Sequence, residues 1–437
     1  MSGSSRQQLV IDVLEDAFAD LMRADPRAFR VKYRKMAADP FAFYRGSACL
    51  FYADVTQRDD PWADERAGAV WIHGDLHVEN FGTYMNSHGR LVFDINDFDE
   101  AYVGHFSWDL RRFAASLALM CWQKALPERS VRELMDRYLR EYVDQVRHYV
   151  DEEGDDDFAL HLDNTEGPVH ALLVKARERS RVAMLDSMTE RREHVRMFGE
   201  QGGGRRLEEA EHTLVMAAFE AYLATIPEHK RFDRELFYDV RDVVGRTGFG
   251  IGSAGLPAYN VLLEGYSQSL DNDVVLSMKQ ANVPAVSRFV DAGKVEGYFD
   301  HQGHRTAVSQ RALQVHSDPL LGHTSADDVG YVVSEISPYE ADVDWDEVNE
   351  PDEVAQVVGL LGRATAKAHC ASDADSAQDL VTFQTEEAIA GVLEGRDDEF
   401  VEEITGFALD YAAQVREDHA LFVDAFREGR IGGISAA

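Results

Sequence analysis

His73-Gly74-Asp75-Leu76-His77-Val78-Glu79-Asn80, followed by Asp94-Ile95-Asn96-Asp97-Phe98-Asp99, is the stretch on which the reading of this chain turns. Carboxylates and an amide stand on two short loops, and the apolar run Leu91-Val92-Phe93 between them reads as a strand that ends in a cluster of aspartates. Asp75 can accept the proton of an attacking hydroxyl. Asn80, one short turn farther on, offers an amide oxygen to a magnesium ion without adding charge, and Asp97 supplies a carboxylate that holds the metal against bound phosphates. The same residues leave a second chemistry open. His73 and His77 lie four apart, and with Asp75, Asp94 and Asp99 they provide the ligand types of a metal-dependent hydrolase. On the first reading His73 braces the loop by donating to backbone, and Asp94 and Asp99 are supporting or solvated carboxylates.

Outward from these loops, the pattern changes along the chain. Leu110, Phe113, Ala114, Leu117, Ala118 and Cys121 fall on one helical face, with Ser107 as the expected cap and Asp109 in the first turn. Leu9, Val13, Leu14, Phe18 and Leu21 mark an earlier helix, and residues 105–230 read as mostly helix. Residues 236–337 read as short β-rich runs divided by Gly, Asp and Ser, residues 304–315 among them. Helical periodicity returns at 354–370 and 402–426.

The β-rich part holds two further candidates for phosphate chemistry. Gly248, Gly250, Gly252, Ser253 and Gly255 form a glycine-rich turn between apolar segments, where backbone N–H groups can approach phosphates without Cβ interference. A sharp structural turn is the other reading of the same glycines. No Gly-Lys-Ser/Thr follows, so the run is not a Walker A loop. Lys279, one of eight lysines, sits in the next strand, where a fixed ammonium can neutralise the α- and β-phosphates of ATP; a solvent-facing edge charge is the alternative.

These motifs resemble those of the aminoglycoside-phosphotransferase and protein-kinase-like superfamily, whose catalytic loop reads H-G-D-x-x-x-x-N and whose metal Asp lies in a following D-F or D-W segment. The resemblance implies ATP and Mg2+ as cofactors, Asp75 as base, Asn80 and Asp97 as metal ligands, Lys279 as phosphate clamp, and the glycine run as cover. It implies an α+β, two-lobed protein-kinase-like fold with a small antiparallel sheet lobe and a helical lobe. Gly104-His105-Phe106-Ser107-Trp108-Asp109-Leu110 is similar to the superfamily's G-D-P-x-x-D-L, so Asp109 is expected to brace the catalytic loop. His105 departs from that motif's Asp, with little effect expected on chemistry. No motif fixes the acidic partner of Lys279; Glu296 is the candidate.

The order of the parts is reversed, because the glycine run and Lys279 follow the catalytic loop. The helix ending at Ala368-His369 resembles the one that ordinarily precedes H-G-D. A circular permutation is therefore expected, with residues 1–235 as an N-terminal helix plus helical lobe, 236–340 as sheet lobe, and 341–437 as helices completing the helical lobe. The segment 334–345 resembles the hinge whose backbone meets an adenine edge. Over residues 33–425 the chain also resembles the bacterial domain-of-unknown-function family 2252, in which Gln280 stands where a Glu is common. Arg45 and Arg311 are candidate substrate or phosphate contacts.

Composition bounds the partners. The chain has 437 residues, with 79 acidic against 44 basic side chains and a formal net charge of −35, which disfavours nucleic acid at long range. Arg outnumbers Lys 36 to 8, as in proteins of salt-rich cytoplasm or GC-rich genomes. No signal peptide or long apolar span is evident, and Cys49, Cys121 and Cys370 lie far apart, so a cytoplasmic protein away from membranes is expected. The expected activity is phosphoryl transfer to a hydroxyl of a small molecule rather than of a protein; a non-catalytic nucleotide sensor and the hydrolase are the alternatives.

Overall fold

The computed structural model describes residues 3–152, 154, 158–232, 237–246, 256–290, 293, 295 and 297–436. Four helices open the chain: α1 (Gly3–Ala24), α2 (Pro26–Met36), α3 (Pro40–Gly46) and α4 (Ala48–Val55). Two of them start on Asp-Pro. Asp25 accepts from Ala28 N at 2.9 Å and Asp39 from Ala42 N at 2.8 Å, while the proline sits where its missing N–H costs nothing. Short strands follow, β1 (Val70–Ile72), β2 (Phe81–Met85), β3 (Leu91–Ile95) and β4 (Tyr102–Gly104), then the helices α5 (Phe106–Gln123), α6 (Glu128–Asp151), α7 (Gly167–Arg177) and α8 (Arg181–Met188). Strands β5 (Thr189–Arg192), β6 (Val195–Phe198) and β7 (Gly204–Arg205) precede α9 (Glu209–Leu223). Strands β8 (Val240–Arg246), β9 (Ala258–Leu263) and β10 (Val274–Gln280) lead to α10 (Gln302–Gln314), then β11 (Gly322–Ala326), β12 (Val329–Glu335) and β13 (Ala341–Asp342). Helices α11 (Pro351–Cys370), α12 (Thr385–Leu393) and α13 (Asp397–Arg427) close the chain.

The result is a mixed α+β fold with several small sheets. The largest is antiparallel, in the order β11-β12-β10-β9-β8-β7. In β10 the two-residue period sends Val274, Leu276 and Met278 into a core shared with α9, while Ser277 and Lys279 fall on the other face. A separate and larger apolar core joins α1–α6 and α11–α13 with β1, β3 and β4. Elements before residue 236 take part in the sheet unit: β7 is its edge strand, and Ala218 O of α9 accepts from Thr324 Oγ1 of β11.

Three local expectations are corrected. Residues 304–315, read as β-rich, lie almost wholly in α10; His301 caps it by accepting from His304 N at 3.1 Å, and Arg, Gln, Ala and Leu are good helix formers. The stretch read as mostly helix contains the β5–β6 hairpin, whose two turn residues, Glu193 and His194, take positive φ of 47° and 74° without the Asn-Gly signal that usually marks such a turn. Ser107 does not cap α5. The helix begins at Phe106, and Ser107 Oγ donates to Asp60 instead. Among the described residues no helix is long and apolar enough to cross a membrane, and the three cysteines are buried and form no disulfide with one another.

Candidate functional site

A hairpin register brings the two acidic loops together. Phe81, the first residue of β2, pairs with Ile95, the last of β3, so Asn80 and Asn96-Asp97 emerge side by side and Asn96 N donates to Asn80 O at 3.0 Å. Asn80 is buried, and its Nδ2 donates to Asp75 O at 2.9 Å, while its Oδ1 accepts no hydrogen bond from the described residues. Asp97 has φ +59°, an uncommon conformation for a residue other than glycine. Its carboxyl is pushed up by burial and by neighbouring Asp99, with Lys279 opposing.

The loop before Asn80 is held from behind. Asp109, fully buried in the first turn of α5, accepts from His73 N at 2.6 Å and Gly74 N at 2.9 Å, and contacts His369 Nε2 at 3.2 Å. This is the bracing role expected of Asp109. Gly74 has φ +79°, and a Cβ there would lie 2.1 Å from Glu100 O, so the position admits only glycine. His73 braces as expected: its Nε2 donates to Asn96 O at 2.7 Å and its Nδ1 accepts from Asp75 N at 3.3 Å. Both ring nitrogens are thus engaged with backbone. His77 is buried and held neutral, far below its usual range, first by desolvation and then by Arg45 and Arg112. Among the described residues no three His, Cys, Asp or Glu side chains gather as metal ligands.

Asp75 meets an arginine that the motif did not announce. Arg112, fully buried in α5, donates to Asp75 Oδ1 through Nε at 2.6 Å and Nη2 at 2.5 Å. Tyr44 O takes a further bond from Nη2 at 3.1 Å, and the guanidinium lies 4.3 Å from the Tyr44 ring centroid. Oδ2 of Asp75 takes no hydrogen bond from the described residues. Burial pushes the carboxyl up and Arg112 pulls it down, the former prevailing.

Lys279 joins the sheet to the acidic loop. It lies in a central strand, in register with Ala258 of β9 and Val332 of β12, and its Nζ is ion-paired with Asp99. Burial lowers its affinity for the proton, but Asp99 and Asp97 outweigh this and keep it charged. Arg305 of α10, fully buried, fixes both sides of the contact by donating to Asp99 O at 2.8 Å, Ala101 O at 2.7 Å and Asn282 O at 2.9 Å. Asn80, Asn96, Asp97, Asp99, Ser277 and Lys279 line one cleft of about 650 Å³, whose walls also include Ser334, Glu335, Ser337 and Glu340 after β12. Glu335 and Glu340 are each pushed up to about 7 by burial and then by Asp318. Asp75 lines a small chamber that shares Arg45, Asp97 and Asp99 with this cleft.

Four of the expected site residues, Asp75, Asn80, Asp97 and Lys279, are thereby placed around two spaces that share lining residues. Gly248, Gly250, Gly252, Ser253 and Gly255 lie outside the described residues, between β8 and β9, whose last and first residues, Arg246 and Ala258, are paired. Glu296 also lies outside them; the observed partner of Lys279 is Asp99. Arg45 is paired with Glu79 on the cleft wall, whereas Arg311 donates to Thr225 O and Leu321 O and serves the fold. Asp94 is neither solvated nor in the cleft: it is buried against Lys367. Arg112 and Arg305 carried no signal, standing among 36 arginines in no recognisable pattern.

Residues 23–425 match the model of a protein family described as an uncharacterized protein conserved in bacteria, DUF2252. The chain belongs to this family. The matched span runs from the end of α1 into α13 and takes in every residue of the cleft, beginning earlier than the resemblance at residue 33 suggested. No curated protein and no solved structure matches the chain.

Proposed function

We propose that the protein is an ATP- and magnesium-dependent phosphotransferase that acts on a hydroxyl of a small molecule. The observation that carries this reading is the convergence of Asn80, Asp97 and Lys279 on one cleft, with Asp75 at the chamber that adjoins it. The donor set suits the ion: the Asn80 amide and the Asp97 carboxylate are hard oxygen ligands, and Mg2+ is commonly held by one or two carboxylates plus substrate phosphates. Bound there, it would neutralise charge on the transferring phosphoryl group. Lys279 binds the α- and β-phosphates and is oriented by Asp99. Asp75 takes the acceptor's proton on Oδ2, while Arg112 holds Oδ1 and fixes the carboxylate plane. The glycine run from Gly248 to Gly255 is the candidate cover, since it lies in sequence between β8 and β9 and β9 pairs with the strand that carries Lys279. In this reading the sheet unit and the helical unit are the two lobes of a kinase-like fold written in permuted order, and the segment after β12 is the hinge.

The test is an unbiased metabolite screen with γ-labelled ATP. A labelled product is expected from the native protein, with kcat lowered about 10²–10⁴-fold in Asp75→Ala, as for loss of a general base. Lys279→Ala is expected to weaken ATP binding. Tight ATP binding with no product from metabolite or protein pools favours the sensor instead, and absence of ATP binding sinks both.

A further inference from the structure

The chamber beside Asp75 holds a cation that no described residue pairs at contact distance. Lys32 of α2 is only 3% exposed, yet no carboxylate among the described residues lies within ion-pairing distance of its Nζ and no hydrogen bond satisfies it. Its contacts are with aromatic faces, 4.0 Å to the Phe18 ring centroid and 5.6 Å to that of Phe29. The other cations on the chamber wall are occupied: Arg45 by Glu79 and Arg288 by Asp16. Burying an ammonium without a contacting counter-ion is costly: burial has pushed this one down to about 8 against the opposing charges of Cys49, Glu100 and Asp75, so it is still mostly charged at neutral pH. The carboxylates that face the chamber act on it only from beyond contact distance, and an anionic ligand there would give it a direct partner.

We propose that the acceptor is a small hydroxy acid, its carboxylate held by Lys32 while its hydroxyl meets Asp75. The proposal rests on the phosphotransferase reading and names its substrate class. Size and charge select the anion. The chamber is about 50 Å³, enough for a group of a few heavy atoms. Asp75, Asp97, Asp99 and Glu100 also face it, so a phosphate dianion meets more repulsion than a carboxylate, and only an anion can pair directly with Lys32. In the transfer the hydroxyl oxygen attacks the γ-phosphorus and its proton passes to Asp75. The bond from that phosphorus to the β,γ-bridging oxygen breaks, and ADP leaves with the electron pair.

The experiment titrates the full chain, with and without a non-hydrolysable ATP analogue and Mg2+, against glycolate, lactate, glycerate and malate, each beside its amide. At least one acid is expected to bind about tenfold or more tightly than its amide, as for a charge-assisted hydrogen bond. Lys32→Met removes this preference and Lys32→Arg keeps part of it. Thermal unfolding reports whether the variants fold; Lys32→Met is expected to melt at or above the native temperature, because the unpaired charge is gone. Failure of every acid to outbind its amide, or a preference that survives Lys32→Met, overturns the proposal. The two readings separate in turnover. A Lys32-dependent acid preference without labelled product supports the carboxylate subsite and sinks the transferase, while product from neutral or amine acceptors alone, indifferent to Lys32→Met, sinks the subsite and leaves the transferase.

Discussion

Asp60 accepts from Ser107 Oγ at 2.5 Å and from His105 Nδ1 at 2.9 Å, and Arg111 Nη2 lies 3.2 Å from its other oxygen. Burial opposes its ionisation, but the His105, Arg111 and Ser107 contacts prevail and hold the carboxyl at about 2 against an ordinary 3.8. Because the folded value lies below the unfolded one, the stabilisation is complete above the ordinary value and disappears as pH falls through about 2. It amounts to about 2 kcal/mol at neutral pH. Asp60→Asn should therefore flatten the fall in stability between pH 4 and 2, read as the difference in urea midpoints against the native protein. The same contacts explain the departure at His105. It serves an ionic network behind α5 and does not line the cleft. At this scale the gathering of Asp75, Asn80 and Asp97 was legible because it depends on residue type and on spacing around a single hairpin. Lys32, Arg112 and Arg305 were not, because what distinguishes them is burial and the identity of their partners.

Lys367 of α11 donates to Asp94 in β3 and to Leu313 O at the end of α10, at 2.9 Å in the latter case. One buried ammonium thus ties three elements together behind the acidic loops. Burial pushes the Asp94 carboxyl up and Lys367 opposes it, so the pair depends on both members. Lys367→Met and Asp94→Leu should each cost about 3–5 kcal/mol by stranding a buried charge, and the double variant should cost less than either. A denaturant-melt double-mutant cycle measures this; costs that add without coupling would refute it. The helix α11 was evident from its period, and so was the strand before the aspartates. Helix α10 was misread, because its apolar residues are scattered around its circumference and show no stripe. That helix is buried on several sides, between the sheet and the acidic loops, and a helix enclosed in this way need not be amphipathic.

The molecule as a whole carries a net charge of −35, while its cleft holds Lys279 and the neighbouring chamber Lys32. The acidic excess repels itself across the surface, and salt shortens the range of that repulsion from about 10 Å at 0.1 M to about 3 Å at 1 M. The melting temperature should accordingly rise with sodium chloride over this interval. Surface pairs such as Arg129–Glu133 weaken in the same salt but contribute little, being fully solvated. A fall in melting temperature would show that ion pairing outweighs self-repulsion. By itself the sequence determined the α+β character, the pair of acidic loops and the strand-borne lysine, since each rests on short-range periodicity or on local spacing. Only the tertiary structure decided that Lys279 meets Asp99 across 180 residues of chain, that Arg112 holds one oxygen of Asp75, and that Lys32 is buried beside it with no ion-pair partner among the described residues. The reason is physical. The energy of a charge is set by its desolvation and its nearest counter-charge, and both are fixed by long-range packing of the two cores, which no local pattern of residues encodes.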